Sequence, residues 1–289
     1  MALRSKRRSS RSERERKAGI IGGTGKMGRL FAGVFERAGY EVLVSGRSTK
    51  LPATDLAEQC GIVIVSVPIR DTVRVIEEIA PVLTKNQLLC DLTSLKVAPV
   101  AAMLRTKAQV IGLHPMFGPT VGSLAGQTII ACPARCTRKT RDALLAIFRA
   151  EGATCTLATP EAHDRMMAVV QGLTHFVTLC MAESIRRMGL NINETRAFMS
   201  PVYQIELALM GRLLAQDPDL YADILQTNPF VPEVLAACRA SAANLAGIVM
   251  AQDPNQFRAF FKNNSWHFGE YCREGQEMTD ALIDCMVRR

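Results

Sequence analysis

The glycine-rich turn at residues 22–28 constrains the fold of this chain more than any other feature of its sequence. The turn reads Gly-Gly-Thr-Gly-Lys-Met-Gly and directly follows a short apolar run at residues 18–21. Apolar residues then recur at helical spacing, namely Met27, Leu30, Phe31, Val34 and Phe35. A strand that enters a helix through a glycine turn predicts the first β-α unit of an open α/β sheet.

Strand and helix patterns continue to alternate through the first half of the chain. Strand patterns lie at residues 41–45, 62–67, 88–92, 110–113 and 128–131. The run at 62–67 is mostly β-branched, as expected for a strand that is buried on both faces of a sheet. The alternation predicts an α/β, Rossmann-type, doubly wound parallel sheet.

The second half of the chain has a different pattern. No convincing strand follows Glu161, and helical periodicity runs to the end of the sequence, with long stretches at 166–188 and 192–214. We therefore expect an all-α C-terminal domain. The predicted boundaries are 1–17 for a disordered basic tail, 18–158 for a dinucleotide-binding Rossmann domain and 159–289 for an all-helical domain.

The basic tail accounts for most of the positive charge of the chain. The formal net charge is +8, but residues 1–17 hold eight Lys or Arg against two Glu, so the remainder is nearly neutral. We interpret the tail as a solvated arm. The body of the protein gives no reason to expect a nucleic-acid partner.

Other patterns favour a cytoplasmic protein without a metal. No apolar run approaches the roughly 18–20 residues that are needed to cross a bilayer, so no membrane contact is expected. The nine cysteines include no Cys-x-x-Cys pair, which is typical of free thiols in a reducing compartment. The four histidines and the carboxylates show no metal-ligand spacing.

The glycine turn has the spacing of a dinucleotide fingerprint, Gly-x-Gly-x-x-Gly. Gly23 is expected to make the tight turn, Gly25 to let a pyrophosphate approach the backbone, and Gly28 to let helix and strand pack closely. The helix N-terminus offers N–H groups and a positive dipole end to the pyrophosphate. The predicted cofactor-binding residues of this turn are Gly23, Thr24, Gly25, Lys26, Met27 and Gly28.

The end of the second strand bears on which nicotinamide cofactor is used. NAD enzymes usually place Asp or Glu there for the ribose 2′-hydroxyl, but residues 44–49 contain no acid. Arg47 and the hydroxyls of Ser45, Ser48 and Thr49 can instead hold a 2′-phosphate. The sequence therefore favours NADP over NAD.

Two motifs stand at the carboxyl ends of consecutive predicted strands, where an α/β sheet holds its ligands. They are Asp91-Leu92-Thr93-Ser94-Leu95-Lys96 and Gly112-Leu113-His114-Pro115-Met116-Phe117-Gly118-Pro119. Together they resemble prephenate dehydrogenase, specifically the dehydrogenase part of the bifunctional chorismate mutase–prephenate dehydrogenases. The resemblance runs from Ile20 to about Tyr271 and includes motifs at 161–164, 171–176, 200–203 and 211–218. No mutase domain precedes the glycine turn, so we expect no mutase activity.

The resemblance implies a reaction and the residues that carry it. Prephenate dehydrogenases oxidise and decarboxylate prephenate, with hydride transfer to a nicotinamide, and so form 4-hydroxyphenylpyruvate for tyrosine biosynthesis. His114 matches the family's catalytic histidine, which accepts the proton of the ring hydroxyl. Ser94 matches a serine that hydrogen-bonds near this hydroxyl and orients the histidine. Lys96 matches a lysine near the active site.

Three further positions match family residues of the substrate site. Arg212 matches an arginine that binds a prephenate carboxylate, and its apolar neighbours predict that it is buried and needs an anion. The alternative is a salt bridge to Asp217 or Asp164. His163 and His175 match histidines linked to substrate binding and local structure, or are satisfied core histidines. The family is usually dimeric, so we expect a homodimer through the helical domain.

Other functions fit parts of the same pattern. Arogenate dehydrogenase differs only in an amino group on the substrate, and no acidic partner for that amine can be identified. A 3-hydroxyacid or 6-phosphogluconate-type dehydrogenase would place a catalytic lysine where this chain has His163 and His175. A non-catalytic NAD(P)-sensing regulator would keep the glycine turn but lose the reaction site, whereas Ser94, His114 and Arg212 are all present.

Overall fold

A computed structural model describes residues 13–288 of the chain. Most of the predicted basic tail, residues 1–12, lies outside this range. The last residue assigned to that tail, Lys17, is the first residue of a strand and forms an ion pair with Glu41 at 3.1 Å. The sheet therefore begins one residue earlier than the apolar run predicts.

The first half of the chain alternates strands and helices. The strands are β1 (Lys17–Ile21), β2 (Glu41–Ser45), β3 (Ile62–Val65), β4 (Leu88–Asp91), β5 (Gln109–Pro115), β6 (Thr128–Arg135) and β7 (Thr154–Leu157). The helices are α1 (Lys26–Arg37), α2 (Ala53–Gln59), α3 (Ile69–Ile79), α4 (Val97–Leu104), α5 (Arg138–Ala150) and α6 (Pro160–Met167). A short 3₁₀ turn at Ala80–Val82 follows α3.

The seven strands form one sheet in the order β2-β1-β3-β4-β5-β6-β7. Strands β1 to β5 are parallel, but β6 pairs antiparallel with β5, with His114 opposite Ile130. The connection at 116–127, which is fully described, contains no helix, and without a crossover a neighbouring strand returns antiparallel. The predicted Rossmann-type α/β fold is confirmed, with this antiparallel edge as an addition.

Helices pack on both faces of the sheet through apolar side chains, so the sheet is doubly wound. On one face, the ring of Phe148 in α5 meets Phe31 and Phe35 of α1 edge to face, at centroid distances of 5.8 and 6.2 Å. On the other face, α2, α3 and α4 form a second cluster of buried side chains. Strand β3 serves both clusters, because Ile64 faces the first and Val63 the second. This explains its unbroken β-branched sequence.

The described part of the second half is entirely helical. A π-helix at Ala168–Leu173 is followed by α7 (Thr174–Arg187), α8 (Ile192–Arg196), α9 (Pro201–Leu214), α10 (Pro218–Thr227), α11 (Val231–Ala251), α12 (Pro254–Phe268) and α13 (Tyr271–Val287). The helix predicted at 192–214 is in fact two helices. Its second part starts at Ser200-Pro201, where the serine side chain accepts the Tyr203 N–H at 3.2 Å and proline occupies the first turn.

The described chain divides into two compact units. One holds residues 13–167 and 226–228, and the other holds 168–225 and 229–288. Helix α6 therefore belongs to the sheet unit, although the sequence pattern placed it with the helices. This assignment matters because α6 carries His163 and Asp164.

Two helical stretches contradict the expectation that no apolar segment is long enough to cross a bilayer. Residues Pro160–Arg187 and Val231–Ala251 have mean hydropathies of 1.3 and 1.6 and qualify by length and composition. These stretches are not uninterrupted apolar runs, because polar residues such as Ser241 and Asn244 in α11 stand between the apolar ones. None of the apolar window in α11 is buried within the single chain.

Candidate active site

The glycine turn between β1 and α1 has little room for any side chain. Gly22 has a φ of +82°, and a Cβ there would lie 2.1 Å from the Ser66 carbonyl oxygen. The sharp turn is thus made one residue before Gly23. A Cβ at Gly23 would lie 2.7 Å from a methyl group of Val44, so this glycine allows β2 to pack closely against the turn.

Gly25 and Gly28 play different parts in the same turn. A Cβ at Gly28 would lie 2.5 Å from the Gly22 carbonyl oxygen and 2.6 Å from the Gly23 Cα, so α1 packs directly on the turn. Gly25 precedes the first turn of α1, and a Cβ there would approach only the Gly22 carbonyl oxygen, at 3.2 Å. No side chain of the described residues caps this helix, and Gly25 borders the adjacent cleft, as a pyrophosphate site requires.

The remaining predicted residues of the turn differ in exposure. Thr24 and Lys26 are exposed, whereas the Met27 side chain is partly buried and packs against the core. A cleft of about 650 Å³ lies beside the turn and is bordered by Thr24, Ser45 and Arg47. The described residues therefore form a cradle of the kind that a dinucleotide needs.

Two of the hydroxyls predicted to hold a 2′-phosphate bind the protein instead. Ser45 is buried, and its hydroxyl donates to the Leu51 carbonyl at 2.8 Å. The Thr49 hydroxyl donates to the Gly46 carbonyl and accepts the Gly46 N–H, both at 2.9 Å. Such bonds close the loop on itself. Arg47 and Ser48 remain as exposed groups that can reach a phosphate.

Arg74 is a further cation of this cleft that the sequence analysis missed. It lies on α3 and pairs with Asp71 at 3.1 Å and Glu78 at 3.8 Å. The spacing of these three residues on one helix face was the available signal. Because Asp71 and Glu78 both pair with Arg74, Arg47 is the cation of this cleft that no carboxylate of the described residues pairs with.

His114 lies at the end of β5 and is part of a buried chain of hydrogen bonds. Its Nδ1 is 2.8 Å from Nε2 of His163, and Nδ1 of His163 is 2.7 Å from a carboxylate oxygen of Asp164. A carboxylate only accepts, so a neutral His163 carries its proton on Nδ1 and accepts through Nε2. In that arrangement His114 donates from Nδ1, and its Nε2 is the basic nitrogen.

Asp164 is held firmly by backbone groups. Its two carboxylate oxygens accept the N–H groups of Lys96 at 2.8 Å and Val97 at 2.9 Å, at the N-terminus of α4. The Asn228 side chain donates to the Asp164 carbonyl at 2.8 Å. The sequence analysis did not select Asp164 or Asn228. The only available signal was that Asp164 stands beside His163 in the 161–164 motif.

Burial sets the protonation state of His114. Burial lowers the pKa of His114 well below its usual value of 6.5, and the adjacent His163 and the Lys96 charge lower it further. The imidazole is therefore neutral near pH 7. Neutral His114, with its basic Nε2, can accept a proton from a substrate hydroxyl.

Lys96 and Ser94 lie in the loop between β4 and α4 but behave differently. Lys96 is fully buried, and its ammonium contacts the Asp91 carboxylate and donates to the Leu113 carbonyl at 2.7 Å. Ser94 is half-buried, and within residues 13–288 its hydroxyl makes no hydrogen bond. The predicted bond by which Ser94 orients His114 is thus absent from the described residues.

In the helical unit, two predicted residues are linked by a tyrosine. The His175 ring meets Tyr221 edge to face at a centroid distance of 4.8 Å, and burial lowers the pKa of His175. Burial raises the pKa of Tyr221, while the charge of Arg212 acts to lower it. Arg212 therefore lies near Tyr221, a residue for which the sequence gave no signal.

The prediction that Arg212 is buried is wrong. Arg212 is exposed in the chain, as are its apolar neighbours Leu209 and Leu214. This face of α9 lies at the surface of the helical unit, so apolar neighbours did not imply burial. No ion pair between Arg212 and Asp217 is found in the described residues, and the Asp164 carboxylate is occupied by the groups named above.

The comparisons with known proteins divide the chain into a nucleotide-binding part and a helical dimerization part. Residues 43–157 match the family model "Prephenate dehydrogenase, nucleotide-binding domain". Residues 159–263 match "Prephenate dehydrogenase, dimerization domain". The second range contains both stretches that qualified by length as membrane spans. Those exposed apolar helices thus lie in the part of the chain that matches a dimerization domain. Among residues 13–288, no group of three side chains is arranged to hold a metal ion.

Two curated relatives resemble most of the chain. A "Probable arogenate/prephenate dehydrogenase" of Methanocaldococcus jannaschii is 34% identical over 91% of this chain. The "T-protein" of Haemophilus influenzae is 36% identical, also over 91% of this chain. The chain spans 64% of the length of the first relative and 70% of the second.

The fold also matches solved structures. Prephenate dehydrogenase from Aquifex aeolicus, in complex with hydroxyphenyl propionate and NAD⁺, superposes with a TM-score of 0.71 at 19% identity. The match covers 87% of this chain and 96% of that one. At this identity the likeness supports the fold and not the ligands.

Replacing Gly28 should remove nicotinamide dinucleotide binding. In Gly28→Ala the new methyl group collides with backbone atoms of the turn, so we expect at least about a 100-fold loss of affinity, measured by calorimetry. Gly33→Ala, further along α1, is the matched control. Its methyl group approaches only the flexible Arg37 guanidinium, at 3.2 Å. Equal affinities in the two variants would show that this turn does not hold the cofactor.

Proposed function

Because this chain belongs to the prephenate dehydrogenase family, whose members are nicotinamide-dependent oxidoreductases, we propose that it converts prephenate to 4-hydroxyphenylpyruvate and CO₂. The observation that carries the proposal is the buried chain from Asp164 through His163 to His114. Its tautomers leave a neutral imidazole with its basic nitrogen at the carboxyl end of β5. A non-catalytic regulator has no need of such a group.

The proposed reaction couples three bond changes. A nicotinamide dinucleotide held at the glycine turn would supply the acceptor for the hydride that leaves the ring carbon bearing the hydroxyl. His114 takes the hydroxyl proton through Nε2, and the positive charge that forms on it is stabilised through His163 by the Asp164 carboxylate. The bond to the ring carboxylate breaks, so that CO₂ leaves and the bond's electrons complete the aromatic ring. The phenolate oxygen then takes the proton back from His114. His163 is accordingly proposed to hold His114 and not to bind substrate.

The substrate carboxylates need cations. We assign Arg212 to one of them, because it is exposed and no carboxylate of the described residues pairs with it. A guanidinium can bind a carboxylate through two parallel hydrogen bonds. His175 and Tyr221 lie close to this arginine and are proposed to line the same part of the helical unit. Ser94 is proposed to hydrogen-bond the substrate hydroxyl, since its own hydroxyl makes no bond in the described residues.

The proposed cofactor is NADP in preference to NAD. The end of β2 has no carboxylate for a ribose 2′-hydroxyl, while Arg47 and Ser48 are exposed beside the cleft. A 2′-phosphate would gain a charge-assisted contact from Arg47. We further propose that the enzyme is a homodimer, because the matched dimerization domain holds long apolar helices that the single chain leaves exposed. We propose a cytoplasmic location, because the relatives are biosynthetic dehydrogenases and the cysteines have the pattern of free thiols.

Arogenate dehydrogenase is the second candidate. The name of the Methanocaldococcus relative includes both substrates, and the two differ only where a keto group replaces an amine. The described residues of the helical cluster, Arg212, His175 and Tyr221, supply no carboxylate for that amine. This composition favours prephenate.

Steady-state kinetics test the proposal directly. We expect kcat/KM for prephenate to exceed that for arogenate, because an amine that loses water without gaining an acidic partner costs roughly 1–3 kcal/mol, which corresponds to about 5- to 150-fold. With prephenate, NADP⁺ should give the higher kcat/KM of the two nicotinamides. Reduced nicotinamide is measured by its absorbance. Turnover of neither substrate with either cofactor would reject the proposed activity.

His114→Asn should reduce kcat by about 10²–10⁴-fold, because the variant lacks the proton acceptor. Nicotinamide affinity should not change. In the unchanged enzyme, activity requires neutral His114. Its folded pKa is lowered, so the acid limb of kcat/KM should lie below 6.5 and activity should persist on acidification to that point. His267→Asn, at an exposed histidine of α12, is the control. An acid limb above 6.5 would contradict the buried, neutral imidazole.

Arg212→Ala should raise the prephenate KM. Loss of even one charge-assisted hydrogen bond, about 1.5 kcal/mol, corresponds to at least a roughly 10-fold increase. Arg258→Ala removes an exposed arginine of α12 that bonds only to Asn255 in the described residues, and it should leave KM unchanged. An unaltered KM in Arg212→Ala would remove this residue from the substrate site.

A further inference from the structure

A lysine and an aspartate form an ion pair inside the sheet unit, where charged groups are costly. The side chains of Lys96 and Asp91 are both completely buried. One Asp91 oxygen accepts the Lys96 ammonium and the Thr93 N–H and hydroxyl, whereas the other has no hydrogen-bond partner among the described residues. Such a pair stabilises a fold weakly, because desolvation cancels much of the attraction. Its presence therefore calls for an explanation other than stability.

The position of the pair relates it to His114. The Lys96 ammonium also donates to the Leu113 carbonyl at 2.7 Å, and that carbonyl belongs to the peptide bond that leads into His114. The lysine chain passes beneath β5 at Gly112, where a Cβ would lie 3.0 Å from the Lys96 Cδ and 3.3 Å from an Asp91 oxygen. The missing side chain at 112 gives the pair its space.

The backbone of the same loop supports the other end of the histidine chain. The N–H groups of Lys96 and Val97 bind the Asp164 carboxylate, which holds His163, which in turn holds His114. The Lys96 ammonium thus holds the backbone of His114, through the Leu113 carbonyl. The Lys96 N–H holds the ring of His114 indirectly, through Asp164 and then His163. Both supports depend on the placement of one residue.

We propose that the buried Asp91–Lys96 pair is a positioning element for His114, and that Lys96 binds neither substrate nor cofactor. The inference rests on the proposed function only for its kinetic consequences, since the placement of His114 can be observed without turnover. Lys96 is completely buried, whereas Arg212 is exposed and suited to bind an anion. The Lys96 charge has a second effect, because it also favours the neutral form of His114.

The charged and titratable groups near His114 in the sheet unit are His163, Lys96, Asp91 and Asp164. Removing Lys96 alone would leave Asp91 as a buried, uncompensated charge and endanger folding. The informative variant is therefore Asp91→Asn/Lys96→Met, which removes both charges and keeps nearly the same volume. Val100→Ala is the matched control, because it truncates a buried residue of α4 that also faces Gly112 but carries no charge.

Imidazole NMR gives a readout that does not need activity. The chain has four histidines, so four imidazoles are to be assigned, and His114→Asn identifies one of them. In Asp91→Asn/Lys96→Met the His114 resonances should move and its titration should shift to higher pH, because Lys96 is one of the groups that lower the His114 pKa, whereas the Asp91 anion removed with it is not among the causes of that shift. In Val100→Ala the His114 resonances and titration should stay as in the unchanged protein.

Kinetics distinguish positioning from substrate binding. In the double variant we expect kcat to fall by about 10–100-fold from misplacement of His114, while the prephenate KM and nicotinamide affinity change by less than about 3-fold. The acid limb of kcat/KM should move to higher pH. Gly112→Ala keeps every charge, but its methyl group would crowd the Val100 side chain at 2.8 Å and the Lys96 Cδ at 3.0 Å, so it should lower kcat in the same way.

Two outcomes would overturn the inference. A large rise in prephenate KM with kcat preserved would make Lys96 a substrate ligand. Unchanged His114 resonances and titration in the double variant, with only a lower Tm, would make the pair merely structural. If the unchanged protein fails to turn over prephenate but the His114 resonances still respond to the double substitution, the proposed function fails and the positioning role stands.

Discussion

The Asp164 carboxylate fixes the position of every other group in the histidine chain. A buried carboxylate must be supplied with donors, and here they come from the first turn of α4 and from His163. These donors belong to elements that are far apart in the sequence. Once the carboxylate is bound, the tautomer of His163 is determined, and that of His114 follows from it. The chemistry at the end of β5 thus depends on a residue that does not contact substrate in the proposed mechanism.

The buried ion pair of Lys96 and Asp91, the Asp164 carboxylate and two imidazoles share a small volume beneath the carboxyl ends of β4 and β5. Lys96 and Asp91 pair with each other, while burial lowers the pKa of His114 and so keeps it neutral. The same low polarity therefore has opposite consequences for the lysine and for the histidine. Lys96 has a carboxylate partner. His114 has His163 and the Lys96 cation as neighbours, and both disfavour protonation of His114.

The helical unit follows a different physical principle. Long helices such as α11 expose apolar residues that a single chain does not cover, and the family model for this region describes a dimerization domain. Exposed apolar surface of this extent is typical of surfaces that bind another protein. It also explains why Arg212 is exposed despite apolar neighbours: on such a helix an apolar neighbour does not mark the inside of the chain.

The sequence by itself determined the alternating fold, the glycine turn, the absence of an acid after β2 and the place of His114 near the end of a strand, because periodicity, glycine geometry and motifs are local properties. The tertiary structure decided what depends on partners distant in sequence. It gave Asp164 its role, assigned the Ser45 hydroxyl to the Leu51 carbonyl, and buried Lys96 against Asp91. A hydrogen bond or an ion pair exists only when folding brings both groups together, and no residue pattern records that distance.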